Sequence, residues 1–106
     1  MDAKGSDMEI EISQIKPSSF QIKFRNEFLK DKLTQQIKQE GQIIPIVVRF
    51  TENGYEVVDG NVRLSIMKDL GYATIDCNIV NIDKVGAMKL AIELNGNVNE
   101  LDQISI

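Results

Sequence analysis

The sequence contains no histidine and only one cysteine, Cys77, in 106 residues. Without histidine the chain lacks the commonest metal ligand and the usual general base at neutral pH, so catalytic triads built on histidine are excluded. For the same reason we expect no zinc and no haem. A lone cysteine offers no intramolecular disulfide, which favours a reducing, cytoplasmic setting. Because Cys77 lies in an alternating apolar run, we interpret it as core packing rather than as a nucleophile.

Arginine and long apolar runs are also scarce. The three arginines are Arg25, Arg49 and Arg63, and the net charge is -4 with a pI near 4.8. Nonspecific DNA affinity comes from Lys and Arg neutralising phosphates, so this balance argues against a domain that holds duplex DNA alone, and against a nuclease. No apolar run approaches the roughly 20 residues of a membrane span, and no secretory signal is recognisable, so we expect no membrane contact.

Length and composition indicate a single domain. A hydrophobic content of 42% and a charged content of 26% are ordinary for a globular protein, and 106 residues support one core. Residues 1–7 are small and polar, so we interpret them as a disordered lead or a cloning remnant. Residues 8–106 are then the folded domain.

Hydrophobic periodicity predicts the element order β-α-β-β-α-β-α, an α+β fold whose mixed sheet is packed by helices. Asn53-Gly54 predicts a hairpin in which residues 55–58 pair antiparallel with residues 46–50. A near-continuous β-branched run indicates a strand covered on both faces, with Pro45 near its start. The predicted strands are 8–12, 43–50, 55–58 and 74–80, and the predicted helices are 27–40, one that ends at Gly71, and 83–95, capped by Asp83.

A β-rich run ends in Asp59-Gly60 and turns directly into the second helix. Glycine makes this turn without a Cβ penalty, and the first N–H groups of a helix have no intrahelical partner. The backbone at Gly60, Asn61 and Val62 therefore predicts an anion site, with Arg63 supplying positive charge. The alternative is an ordinary turn in which Asp59 or Asn61 caps the helix and Arg63 is solvated or paired with Asp59.

Four blocks in order and spacing resemble the ParB/sulfiredoxin superfamily, and specifically the ParB N-terminal domain, often labelled ParB-like nuclease. The resemblance covers about residues 10–102 and rests on residues 37–49, 55–64, 70–71 and 90–95. It implies a ParB/sulfiredoxin-like fold and a loop after the hairpin that holds nucleotide phosphates.

The residues from Gly60 to Arg63 separate the activities of that superfamily. Partition proteins carry G-E-R-R there, and this chain matches only the first and last residues. Sulfiredoxins need G-C-H-R, so the absent cysteine and histidine exclude sulfinic acid repair. Free serine kinases carry D-G-H-H-R, and both histidines are missing here. Partition proteins also have glutamine where this chain has Ile44, and an E-N pair that Glu93-Leu94-Asn95 only approximates.

The resemblance and the loop together predict a stand-alone domain that binds a nucleoside triphosphate or phosphate, with magnesium, at residues 59–63. Weak hydrolysis or phosphoryl transfer would use Arg63 and a carboxylate base, either Asp59 or Glu40. Asp59 would orient the loop or, indirectly, the magnesium ion. The phosphate-binding candidates are Gly60, Asn61, Val62 and Arg63, and the secondary candidates are Gln42, Arg25 and Asn95.

The alternative function is a DNA-associated adaptor with a degenerate site, which binds a partner and catalyses nothing. Leu101, Ile104 and Ile106 are apolar for a terminus, which fits a homodimer contact or a truncated boundary. Partition proteins follow this domain with a helix-turn-helix reader and a dimerisation region, so we do not expect sequence-specific duplex binding from this domain alone. Retained phosphate affinity would separate the two functions.

Overall fold

The computed structural model describes residues 7–19 and 27–105, with side chains described for residues 7–19 and 29–94. In this part the chain forms a mixed five-stranded sheet and three α-helices, which confirms the predicted α+β class. The elements are β1 (Asp7–Glu11), a 3-10 turn (Ile12–Gln14), β2 (Ile15–Lys16), α1 (Glu27–Glu40), β3 (Ile46–Thr51), β4 (Gly54–Asp59), α2 (Asn61–Asp69), β5 (Thr74–Val80) and α3 (Lys84–Ser105).

The strand order in the sheet is β1-β5-β3-β4-β2. The β3–β4 hairpin is antiparallel as predicted, with Val48 opposite Val57, and β5 pairs parallel with β3 and antiparallel with β1. The structure adds β2, in which Ile15 lies beside Tyr55 in a parallel pair with β4. A two-residue strand is too short to show a hydrophobic periodicity, so the sequence did not predict it.

Helices cover both faces of the sheet, because its central strands are apolar on alternate sides. Ile46 and Val48 of β3 pack towards α1 and α2, whereas Val47 packs towards α3. The interpretation of a strand covered on both faces therefore holds for residues 46–48. The first core includes Ile37, Ile46, Val48, Val57, Leu64, Ile66, Met67, Ile75 and Cys77, and the second consists of Val58, Val80, Ala87 and Ala91.

Two predicted boundaries differ from the structure by three residues or more. Strand β3 begins at Ile46 rather than at residue 43, and Ile43 and Ile44 are more than half exposed. Pro45 has no N–H group to donate to a ladder, so regular pairing starts after it. Helix α3 continues to Ser105 instead of ending at Asn95, although its predicted cap is present. Asp83 Oδ1 accepts the N–H of Gly86 at 2.8 Å.

The chain ends are described only in part. Asp7, which its polar context assigns to the leading segment, belongs to β1, while residues 1–6 lie outside the described residues. The side chains of Leu101 and Ile104 and the whole of Ile106 also lie outside them, so the predicted dimer contact stays a prediction.

Cys77 is fully buried in the first core, as its alternating context predicted. Burial, assisted by the negative charge of Asp76, raises the pKa of its thiol to about 12. The thiol therefore stays protonated at neutral pH, and a protonated thiol is a poor nucleophile. Within the described residues, no helix is both long enough and apolar enough to cross a membrane.

Candidate anion-binding site

The site centres on Gly60, which joins the end of β4 to the first turn of α2. Gly60 is the N-cap of α2 and has φ 119°, in the left-handed region that favours glycine. A Cβ at this position would lie 2.5 Å from Cγ2 of Ile46 and 2.7 Å from its Cβ. Because Gly60 has no Cβ, its backbone can lie against the side chain of Ile46 in the core. This close approach lets β4 lead into α2 through a single residue.

Within the described part of the chain, the first turn of α2 has several backbone donors that no protein acceptor meets. The first intrahelical bond runs from the N–H of Leu64 to the carbonyl of Gly60 at 2.9 Å. Among the described residues, no acceptor is bonded to the N–H groups of residues 60–63, and no acidic side chain lies in the first turn of α2. No described side chain caps this helix, so the alternative that Asp59 or Asn61 acts as its cap is wrong.

Arg63 lies in the same turn and is held by three neighbours. Its Nη1 donates to the carbonyls of Ile44 at 2.9 Å and Pro45 at 3.0 Å, and its Nη2 lies 3.6 Å from Oδ2 of Asp59. Burial lowers the pKa of Arg63, while the carboxylate of Asp59 raises it, and an arginine remains charged in either case. The pairing of Arg63 with Asp59, which the alternative interpretation included, is thus present.

The side chain of Asn61 has a role that the sequence did not suggest. Its Oδ1 accepts the N–H of Ser18 at 3.1 Å, and its Nδ2 donates to Oγ of Ser18 at 3.1 Å. Ser18 is buried, and its hydroxyl donates to the carbonyl of Val57 in β4. Asn61 therefore fixes the chain after β2 against the start of α2. Sequence reasoning missed Ser18, because these partners are 43 residues apart.

Gln42 ties the loop between α1 and β3 to strand β5. Its Oε1 accepts the N–H of Asp76 at 2.6 Å, and its Nε2 donates to the carbonyls of Asp76 and Ile44, each at 3.0 Å. The side-chain amide of Gln42 thus bonds to the N–H and C=O groups of β5, as the backbone of a neighbouring strand would. Pro45, three residues later, has no N–H group for such pairing. Because Ile44 also accepts from Arg63, Gln42 is connected to the candidate site through one carbonyl group.

The sequence profile of the ParB N-terminal domain family matches residues 2–96. The chain belongs to the ParB N-terminal domain family. A probable chromosome-partitioning protein ParB of Campylobacter jejuni is 35% identical over 105 residues, which are 97% of this chain and 37% of that protein. This ParB N-terminal domain therefore spans just over a third of the length of that curated relative.

Two solved structures have folds similar to that of this ParB N-terminal domain. A C-terminally truncated ParB from Caulobacter crescentus, complexed with CTP-gamma-S, superimposes with a TM-score of 0.74 and 25% identity, over 86% of this chain and 53% of the other. Sulfiredoxin from Arabidopsis thaliana superimposes with a TM-score of 0.65 and 22% identity, over 82% and 97%. The second match shows a shared fold only, and together they confirm the ParB/sulfiredoxin-like architecture.

Of the remaining candidate residues of this ParB N-terminal domain, only the side chain of Glu40 is described, and it is not joined to the turn. Glu40 is exposed at the end of α1, and within the described residues no hydrogen bond or ion pair joins it to residues 59–63. Arg25 and the side chain of Asn95 lie outside the described residues. In the described part, no three His, Cys, Asp or Glu side chains converge as a metal site. The geometry suits anion binding better than proton transfer.

Proposed function

We propose that this ParB N-terminal domain binds a nucleoside triphosphate, with CTP as the first candidate, at the first turn of α2. The observation that carries the proposal is the row of N–H groups at residues 60–63 beside the guanidinium of Arg63. A helix N-terminus with open donors and an adjacent cation favours a phosphate group. The similar Caulobacter domain, solved with CTP-gamma-S, supports cytidine as the nucleoside.

Each residue of the turn would contribute a different physical effect. Gly60 allows the backbone to approach the ligand closely, while Asn61 and Val62 offer N–H groups rather than side chains. Arg63 would supply charge-assisted hydrogen bonds, and its contacts with Ile44 and Pro45 hold its guanidinium in place before the ligand arrives. Because the guanidinium is already held in place, binding loses less side-chain conformational entropy.

Binding without efficient turnover is the activity that this arrangement supports. Asp59 is the carboxylate beside Arg63, and their separation of 3.6 Å leaves it paired with a cation rather than poised as a base. A magnesium ion is usually held by one or two carboxylates together with the substrate phosphates, so Asp59 is the residue that would hold it here. Weak hydrolysis would then depend on Asp59 rather than on the exposed Glu40.

Isothermal titration with CTP, ATP, ADP and GTP, with and without magnesium, tests this proposal. Arg63→Ala removes the cation from the turn, and Lys68→Ala is the matched control, because Lys68 is an exposed cation in the last turn of the same helix. We expect wild type and Lys68→Ala to bind equally and Arg63→Ala to bind at least tenfold more weakly. Equal affinity of all three proteins would overturn the assignment of the site.

A non-catalytic adaptor is the second candidate function, and one observation favours it. Arg63 is already bonded to two carbonyls and paired with Asp59, so a degenerate site could retain this arginine as a purely structural contact. Wild-type protein that is folded but gives no heat with any of the four nucleotides would favour the adaptor.

A further inference from the structure

Among the described residues, strand β1 forms an open edge of the sheet. It pairs with β5 on one side, and in the described residues no strand pairs with its other side. A free edge presents unpaired N–H and C=O groups, which are a template for the addition of another strand.

The hydrogen bonds of β5 show which residues of β1 face outward. The N–H of Ile12 donates to the carbonyl of Ala73, and bonded and non-bonded pairs alternate along an antiparallel ladder. Glu9 lies opposite Asp76, whose N–H and C=O groups are both bonded to Gln42 on the other side of β5. The backbone groups of Asp7, Glu9 and Glu11 therefore point away from the sheet, into the open edge.

The side chains of the same three residues form an acidic row. Asp7, Glu9 and Glu11 are exposed and share one face of β1, and Asp76 is exposed directly across from Glu9. Helix α3 packs on this face of the sheet over β4, and so does not cover the row. Like charges directly opposite each other are destabilising, so a cation placed among these carboxylates would be favourable.

The charge of the edge determines what can pair with it. A second copy of β1 would bring carboxylates against carboxylates, whichever direction it ran. On the other face of β1, Met8 is 48% exposed and Ile10 is buried, so an added strand would meet apolar surface there. A complementary segment thus alternates Lys or Arg with apolar residues.

We propose that β1 binds an extended basic peptide segment of a partner protein as an additional strand of the sheet. The segment's cations lie over Asp7, Glu9 and Glu11, and its apolar residues lie beside Met8. Backbone hydrogen bonds to β1 set its register. This surface is independent of the proposed nucleotide site, since it shares no residue with the first turn of α2.

Fluorescence anisotropy with a capped, labelled Lys-Val-Lys-Val-Lys-Val peptide tests the surface. We expect saturable binding that weakens at high salt, and no binding of the matching Glu-Val peptide. The double variant Glu9→Gln/Glu11→Gln should bind at least tenfold more weakly. The control, Asp31→Asn/Asp69→Asn, changes the net charge equally at exposed positions on α1 and α2 and should bind like wild type. Equal weakening in both double variants would overturn the proposal.

Two N-methylated versions of the lysine peptide distinguish strand addition from simple charge attraction. One is methylated at the lysine amides and the other at the valine amides, and in a paired strand only one of these sets faces β1. We expect one version to lose at least tenfold in affinity while the other retains it. Equal affinity of the two versions, or no binding of the unmethylated peptide to folded wild type, would show that the charges of β1 only protect the edge from pairing.

Discussion

Gly60 meets two requirements at once, a left-handed backbone and a close approach to Ile46. An alanine there adds strain of about 1 to 2 kcal/mol for the positive φ and an overpacking cost of about 1 to 3 kcal/mol. We therefore expect Gly60→Ala to lower the free energy of unfolding by about 2 to 5 kcal/mol, measured by urea denaturation.

Gly71 provides the matched control for that substitution. Its φ is 89°, but a Cβ there meets no atom within 4 Å. Gly71→Ala should therefore show only the strain of the left-handed conformation, about 1 to 2 kcal/mol. If the two variants lose the same stability, the contact with Ile46 is not what requires glycine at position 60.

At the scale of the elements, the side chain of Gln42 holds the loop between α1 and β3 against strand β5. The described structure gives the amide of Asp76 no acceptor other than Oε1 of Gln42. We expect Gln42→Ala to cost about 1 kcal/mol of stability. It should also speed hydrogen exchange at the Asp76 amide by about tenfold, because that bond protects the amide against local opening.

Gln39 is a suitable control because it is an exposed glutamine on the last turns of α1. Gln39→Ala should leave exchange at Asp76 unchanged. If Gln42→Ala also leaves it unchanged, the loop is held to β5 by other contacts. A loss of nucleotide affinity in Gln42→Ala alone would additionally connect the loop to Arg63, through the carbonyl of Ile44.

Elements with a strong local signal were predictable from sequence. The bounds of α1 and β5 follow from leucine and isoleucine spacing and from alternation, and the Asn53-Gly54 hairpin follows from turn chemistry. The strand β2 and the bonds between Ser18 and Asn61 could not be predicted, because they depend on residues 40 or more positions apart in sequence. Gly60 and Arg63 were predictable as a local pair, whereas the carbonyls that hold Arg63 belong to a distant loop.

At the scale of the whole molecule, Glu56 connects three parts of the chain. Its Oε1 accepts from Nε of Arg49 at 2.9 Å across the β3–β4 hairpin, and its Oε2 accepts the N–H of Ser19 at 2.8 Å. The side chain is only 12% exposed. Burial alone would raise the pKa of Glu56, but the bonds from Ser19 and Arg49 outweigh it and leave the pKa below its usual value of 4.5. The folded state therefore favours the charged form.

A lowered pKa in the folded state makes this contribution to stability depend on pH. The stabilisation is fully present above the usual pKa of 4.5 and is lost as the pH falls through the lower, folded value. Glu56→Gln keeps the volume but removes the charge. We expect this variant to be about 1 to 3 kcal/mol less stable than wild type at pH 7 in urea denaturation, with the difference shrinking below pH 4.5.

Glu52→Gln is the control for this prediction, because Glu52 is an exposed carboxylate in the turn of the same hairpin. Comparing each variant with wild type at every pH cancels the titration of the other acidic groups, which both proteins share. Glu52→Gln should differ little from wild type at any pH, since an exposed carboxylate gains little from folding. A Glu56→Gln difference that stayed constant down to pH 3 would mean that the shape of the Glu56 side chain, and not its charge, holds the segment after β2 against the hairpin.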